Sequence, residues 1–147
     1  MTHMTDASVN LDNADRFTEV LELEVDSAWA YADTRPGKTD RERREKYRNA
    51  AAQGKITKPV SDPLWWAFRI NVEKANRLLD VDNVAKTVID AFCIKQIEAE
   101  RSSLTQVGLC ADGTVEFVRV LQVAGAPGAE DHTRTEIFAR ITPEGSS

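Results

Sequence analysis

An α+β fold is predicted, a single domain in which a mixed β-sheet packs against helices. Residues 64–72 alternate strictly. Leu64, Trp66, Phe68, Ile70 and Val72 fall on one side, and Trp65, Ala67, Arg69 and Asn71 on the other, which is the period of a strand. Residues 83–101 repeat at helical spacing instead, with Ala85, Val88, Ile89 and Phe92 as an apolar stripe. Segments of the two kinds follow one another as strand, helix, strand, helix, strand, strand, strand, an order that mixes both around one sheet. A chain of 147 residues is long enough for one hydrophobic core.

Residues 1–15 are polar and aperiodic and are expected to form a flexible tail, with the folded domain over 16–142 and a second short tail at 143–147. From Val20, Leu21, Leu23 and Val25 alternate with Glu22, Glu24 and Asp26, a strand with one wet face. Trp29 to Pro36 reads as a connection. Thr39 or Asp40 can cap a helix through about Gln53, which Gly54 stops. That helix has little apolar face beyond Tyr47 and the Ala50–Ala52 run. Two roles fit its charges: a solvated face laced by pairs such as Glu42–Lys46, or a phosphate-facing stripe of Arg41, Arg44 and Arg48.

A loop with Lys55 and Lys58 leads into the alternating strand, where Trp66 and Phe68 are expected in the core. Trp65, on the polar side, is placed to meet a ligand or a partner chain. The central helix is expected from Asp82 or Asn83 to about Arg101. Leu104–Leu109 is the next strand, Asp112-Gly113 a two-residue hairpin turn, and Val115–Val123 the returning strand. Gly125–His132 is a loop before a last strand, Thr135–Thr142, with Ile137, Ala139 and Ile141 inward.

A composition 41% hydrophobic and 29% charged is neither that of a disordered chain nor that of a membrane protein. The N-terminus lacks the basic start and apolar core of a signal peptide, and a cytoplasmic location is expected. Cys93 and Cys110 have no zinc-ligand or CxxC spacing; two buried thiols are expected, with a disulfide between them as the alternative. The net charge of −5 is unevenly spread: residues 35–58 hold nine bases against Asp40, Glu42 and Glu45. An acidic chain is a poor indiscriminate nucleic-acid binder, but one local basic surface remains available.

The chemistry concentrates in Arg77–Phe92, where Asp80, Asp82, Asn83, Lys86 and Asp90 follow at short regular intervals. Asp80 and Asp82 share one side of an extended segment, and two such carboxylates repel unless a cation lies between them. Hard oxygen donors favour Mg²⁺, with Mn²⁺ as a substitute. Asp82, Lys86 and Asp90 then lie one helical turn apart, so Lys86 can neutralise a phosphate or hold a carboxylate. The plainer alternative is a helix cap at Asp82 or Asn83 and an ordinary Lys86–Asp90 ion pair.

The run Asp80-Val81-Asp82-Asn83, Lys86, Asp90-Ala91 resembles the signature D-[IVL]-D-N-[LV]-x-K-x-x-x-D-[AG] of the RusA family of Holliday junction resolvases. Asp112-Gly113-Thr114-Val115 is similar to the family's downstream acidic turn. The resemblance implies a RusA-like homodimeric endonuclease that cuts four-way DNA junctions with Mg²⁺, in recombination and repair. It implies Asp80, Asp82 and Asp112 as metal ligands, Lys86 as the basic residue near the scissile phosphate, and Asn83 and Asp90 as their supports. Arg41, Arg44, Arg48, Lys55, Lys58 and Arg77 would then face DNA. Two departures motivate an alternative, a dimeric module that binds DNA or protein without cutting. Ala111 stands where the family has a further aspartate, and 21 residues separate Asp90 from Asp112.

Overall fold

The computed structural model describes residues 9–28, 39–59, 61–75 and 81–141. Its elements are β1 (Phe17–Val25), α1 (Asp40–Ala52), β2 (Trp65–Lys74), α2 (Val81–Ala91), α3 (Ile94–Glu100), a 3₁₀ turn (Thr105–Val107), β3 (Val118–Pro127) and β4 (His132–Arg140). The strands form one sheet in the order β1-β4-β2-β3, antiparallel except for the β2–β3 pair. The expected α+β architecture is therefore present.

Its detail differs after Phe92. The predicted 104–109 strand is a 3₁₀ turn, and Asp112-Gly113 makes no hairpin. The Asp112 carboxylate accepts from the Gly113 amide at 2.7 Å instead, and the chain turns through Thr114–Phe117 into β3. Because α2 and α3 intervene, β3 returns parallel to β2 as a β-α-β crossover.

The main core lies between the sheet and the helices. Trp66, Phe68, Ile70 and Val72 of β2 meet Val84, Ala85, Val88, Ile89 and Phe92 of α2 and its end, with Ile137 and Ala139 from β4. These are the residues the two periodicities select. The opposite face of the sheet carries a second cluster of Phe17, Trp65, Ala67, Val120 and Phe138, covered by Leu11 and Val9. Trp65 is consequently buried edge-on against Phe17, with ring centroids 5.8 Å apart, and does not present itself to a ligand.

Residues 9–15 are thus not a free tail. Leu11 is 2% exposed, Val9 O accepts from Gln122 Nε2 at 2.7 Å, and Asp12 pairs with Arg69 at 3.0 Å. Leu11→Ala is expected to cost about 2–3 kcal/mol and to expose the 9–15 segment to proteolysis. Urea denaturation combined with limited digestion measures both.

A bulge in β1 sets which acids share that second face. Pairing with β4 slips between Glu19 and Leu21, so Val20 and Leu21 both enter the main core. The extra residue changes the phase of the alternation, and the strand partner of Glu22 is Glu136. The freed Val20 carbonyl accepts from the Thr57 amide at 2.8 Å, which ties the loop after α1 to β1.

Helix α1 docks through its arginines. Thr39 caps it, accepting from the Glu42 amide at 3.2 Å. Arg44 and Arg48 both bind Glu100, the last residue of α3, with Arg48 Nη2 2.8 Å from its carboxylate. Arg48 also donates through Nε to Ala91 O at 2.6 Å. A helix leaves its last carbonyls without intrahelical partners, and here a guanidinium from a neighbouring helix supplies one of them.

Candidate metal and phosphate site on α2

Helix α2 is amphipathic, and its outward edge carries the chemistry. Asp82 and Lys86 are exposed, Asn83 and Asp90 are half-buried, and the apolar positions between them fill the core. Thr87, buried among them, satisfies its hydroxyl on Asn83 O at 2.9 Å. The steps from residue 82 to 86 to 90 drift by only ~80° around the axis, so the three lie along one slanted stripe about 12 Å long. Asp80 and Arg77 lie outside the described residues.

The helix stops at Ala91 rather than running to Arg101. The apolar stripe of 85, 88, 89 and 92 would next fall at Lys95 or Gln96, but the buried residue is Ile97. That slip of phase accompanies a break. Cys93 turns extended and pairs with Cys110 in an isolated parallel bridge. The free carbonyls there are accounted for: Ile89 O and Asp90 O accept from the Phe92 and Cys93 amides, and Phe92 O accepts from Leu109 N at 3.0 Å.

This bridge fixes where Asp112 stands. The 110–113 turn is held at the α2–α3 junction by Ile94 N to Cys110 O at 2.8 Å and Lys95 N to Ala111 O at 3.2 Å. Gly113 packs so closely there that an added Cβ would lie 3.3 Å from Ile89 Cγ2 and 3.4 Å from Asp90 Oδ1. Asp90, Cys93, Lys95, Gln96, Ala99 and Asp112 line a cavity of about 210 Å³. Asp112 also faces Lys95 Nζ at 3.7 Å. The structure brings Asp112 to Asp90, at the opposite end of α2 from Asp82.

The basic surface is smaller than expected. Arg48 is fully buried and Arg44 is 8% exposed, both engaged by Glu100, so neither belongs to a phosphate-facing stripe. A helix with so few apolar side chains is docked by two of the arginines whose spacing suits a solvated or phosphate-facing stripe. Arg41, Lys55 and Lys58 are exposed.

A second acidic group, missed in the sequence, lies across the sheet. Glu19, Glu22 and Glu136 place one carboxylate oxygen each within 4.8 Å of one another, the only such set of three among the described residues. Arg69 binds Glu136 at 2.8 Å and Arg134 binds Glu22 at 3.0 Å, so much of its charge is already balanced by protein cations. Burial, then the charges of Glu136 and Glu22, raise the pKa of Glu19 from its ordinary value. A carboxyl whose folded pKa is raised opposes folding while ionised and is relieved as pH falls. Glu19→Gln is therefore expected to raise stability at neutral pH, the gain vanishing below about pH 4. Melting temperatures of the two proteins across pH 3–8 check the sign.

No family model matches this chain, and neither the curated proteins nor the solved structures contain a match to it. Among the described residues, no helix is long and apolar enough to cross a membrane.

Proposed function

We propose that this chain is a Mg²⁺-dependent, structure-selective endodeoxyribonuclease that resolves four-way DNA junctions and acts as a homodimer. The observation that carries the proposal is the α2 stripe. An exposed acid stands in the first turn, an exposed lysine one turn later and a third charge one turn beyond, on a helix that follows β2. The donors suit a hard cation: Asp82 offers carboxylate oxygens and Asn83 an amide oxygen at a solvent-facing helix start, where an ion can keep part of its water shell. Asp80 would complete the pair. Bound there, Mg²⁺ would lower the pKa of a water and offset charge on the leaving oxygen.

The chain's own residues would do the rest. Lys86 offsets negative charge on the scissile phosphate, while Arg41, Lys55 and Lys58 supply backbone contacts at the exposed basic surface. Asp90 and Asp112 form the far end of the same acidic edge.

A second reading, a module on the same fold that binds DNA without cutting, is favoured by the position of Asp112 beside Lys95 and Asp90. Labelled four-way junction and linear duplex, incubated with the protein in Mg²⁺, Mn²⁺ or EDTA, separate the two. Paired nicks confined to the junction and abolished by EDTA are expected. Tight junction binding without cleavage under any metal supports the module, and no preference for DNA removes both.

A further inference from the structure

The cysteines at the α2–α3 junction take no part in the proposed chemistry, yet they are placed against each other from two strands of chain. Cys93 Sγ and Cys110 Sγ lie 3.5 Å apart, both buried and both reduced. Their backbones form a parallel bridge, which sets neighbouring Cα atoms about 4.8 Å apart, inside the 4.4–6.8 Å range that a disulfide spans. Closing the bond therefore asks for a short movement of two side chains and little of the backbone. Cys93 also lines the cavity shared with Asp90, Lys95, Gln96 and Asp112.

We infer that Cys93 and Cys110 are an oxidative modification site, a dithiol that closes to an intrachain disulfide and ties the α2–α3 junction to the turn carrying Asp112. The oxidant class is a hydroperoxide. Cys93 sulfur attacks one peroxide oxygen and breaks the O–O bond, giving a sulfenic acid and one water when the peroxide is hydrogen peroxide. Cys110 sulfur then displaces the sulfenic oxygen as a second water. Two thiols lose two electrons and two protons, and the peroxide gains both pairs. The site does not rest on the nuclease proposal.

The reaction is slow and base-promoted. The hydrogen bond to Cys110, burial, and the nearby carboxylates of Asp90 and Asp112 all hold the Cys93 thiol protonated. Because only the thiolate attacks, the oxidation rate rises with pH across 7 to 9. The disulfide is then a latch set by sustained oxidation, unlike a fast peroxide sensor with a lowered pKa.

The test treats the reduced, full-length protein with hydrogen peroxide under native conditions, alkylates the remaining thiols and maps the peptides. The expected result is an intact mass lower by two hydrogens, a peptide joining Cys93 to Cys110, and a melting midpoint raised by about 5–10 °C that a dithiol reductant reverses. The mapping needs no variant, so a destabilising substitution does not cloud it. Cys110→Ser serves as a second arm, in which Cys93 should stop at sulfenic or sulfinic acid. Disulfides between chains, over-oxidised wild-type cysteines, thiols unchanged while free cysteine in the same tube is consumed, or a bond formed only in urea would each overturn the inference.

Discussion

Replacing Arg48 with methionine is expected to lower the unfolding free energy by about 3–5 kcal/mol, the usual cost of breaking a buried charge pair from one side. Arg48 is fully buried and binds three partners: Ala91 O at 2.6 Å, Glu45 at 3.0 Å and Glu100 at 2.8 Å. Methionine fills much of the volume, but it leaves a carbonyl unpaired at the end of α2 and Glu100 short of one counter-charge. Arg41→Met, on the exposed side of the same helix, should stay within about 0.5 kcal/mol. A urea titration of both variants measures the contrast. If Arg48 were instead a DNA contact, the two would unfold alike and differ in junction binding.

The same pair sets an acid response. Burial alone would raise the pKa of Glu100, but the hydrogen bonds and charges of Arg44 and Arg48 outweigh it and hold the carboxyl below its ordinary value. A depressed folded pKa contributes stability above the unfolded value, near 4.3, and that contribution is lost as pH falls through the folded pKa. Arg48→Met should therefore lose less stability than the parent over that acid range.

Asp82→Asn should reduce junction cleavage by at least about a hundredfold, since even partners behind a metal ligand are worth ~10–100-fold. Lys86→Ala should cost ~10²–10³-fold, the range for removing one group that stabilises transition-state charge. Both side chains are exposed on α2, so both variants should fold with melting temperatures near the parent's. Junction affinity measured in EDTA should hold nearly constant for Asp82→Asn and weaken modestly for Lys86→Ala. Single-turnover cleavage, with binding followed separately, distinguishes lost chemistry from lost affinity. Equal cleavage by parent and Asp82→Asn would remove the α2 stripe from the mechanism.

Much of the sheet was legible because period two is a strong local signal. Leu21, Leu23, Trp66, Phe68, Ile70, Ile137 and Ala139 all lie in the main core as their alternation required. What escaped depends on single-residue slips and on distant partners. The bulge in β1 adds one residue, and with it Glu19 and Glu22 join Glu136 from a strand over a hundred positions away. The break at Cys93 was visible only as an apolar rung at Ile97 instead of 95 or 96. Arg44 and Arg48 look like surface charge until Glu100 is known to face them. On α2, amphipathic spacing correctly put Asp82 and Lys86 outside, whereas the place of Asp112 depended on a bridge between two cysteines that no periodicity announces.

The site itself can be located by titrating Mn²⁺ into the isotope-labelled protein and following paramagnetic broadening of backbone amide signals. A metal centre at the start of α2 predicts loss of the Asp82 and Asn83 signals first, with β1 and β4 unaffected, and Asp82→Asn should abolish the effect. Broadening centred on Glu19, Glu22 and Glu136, or none at millimolar Mn²⁺, would contradict it.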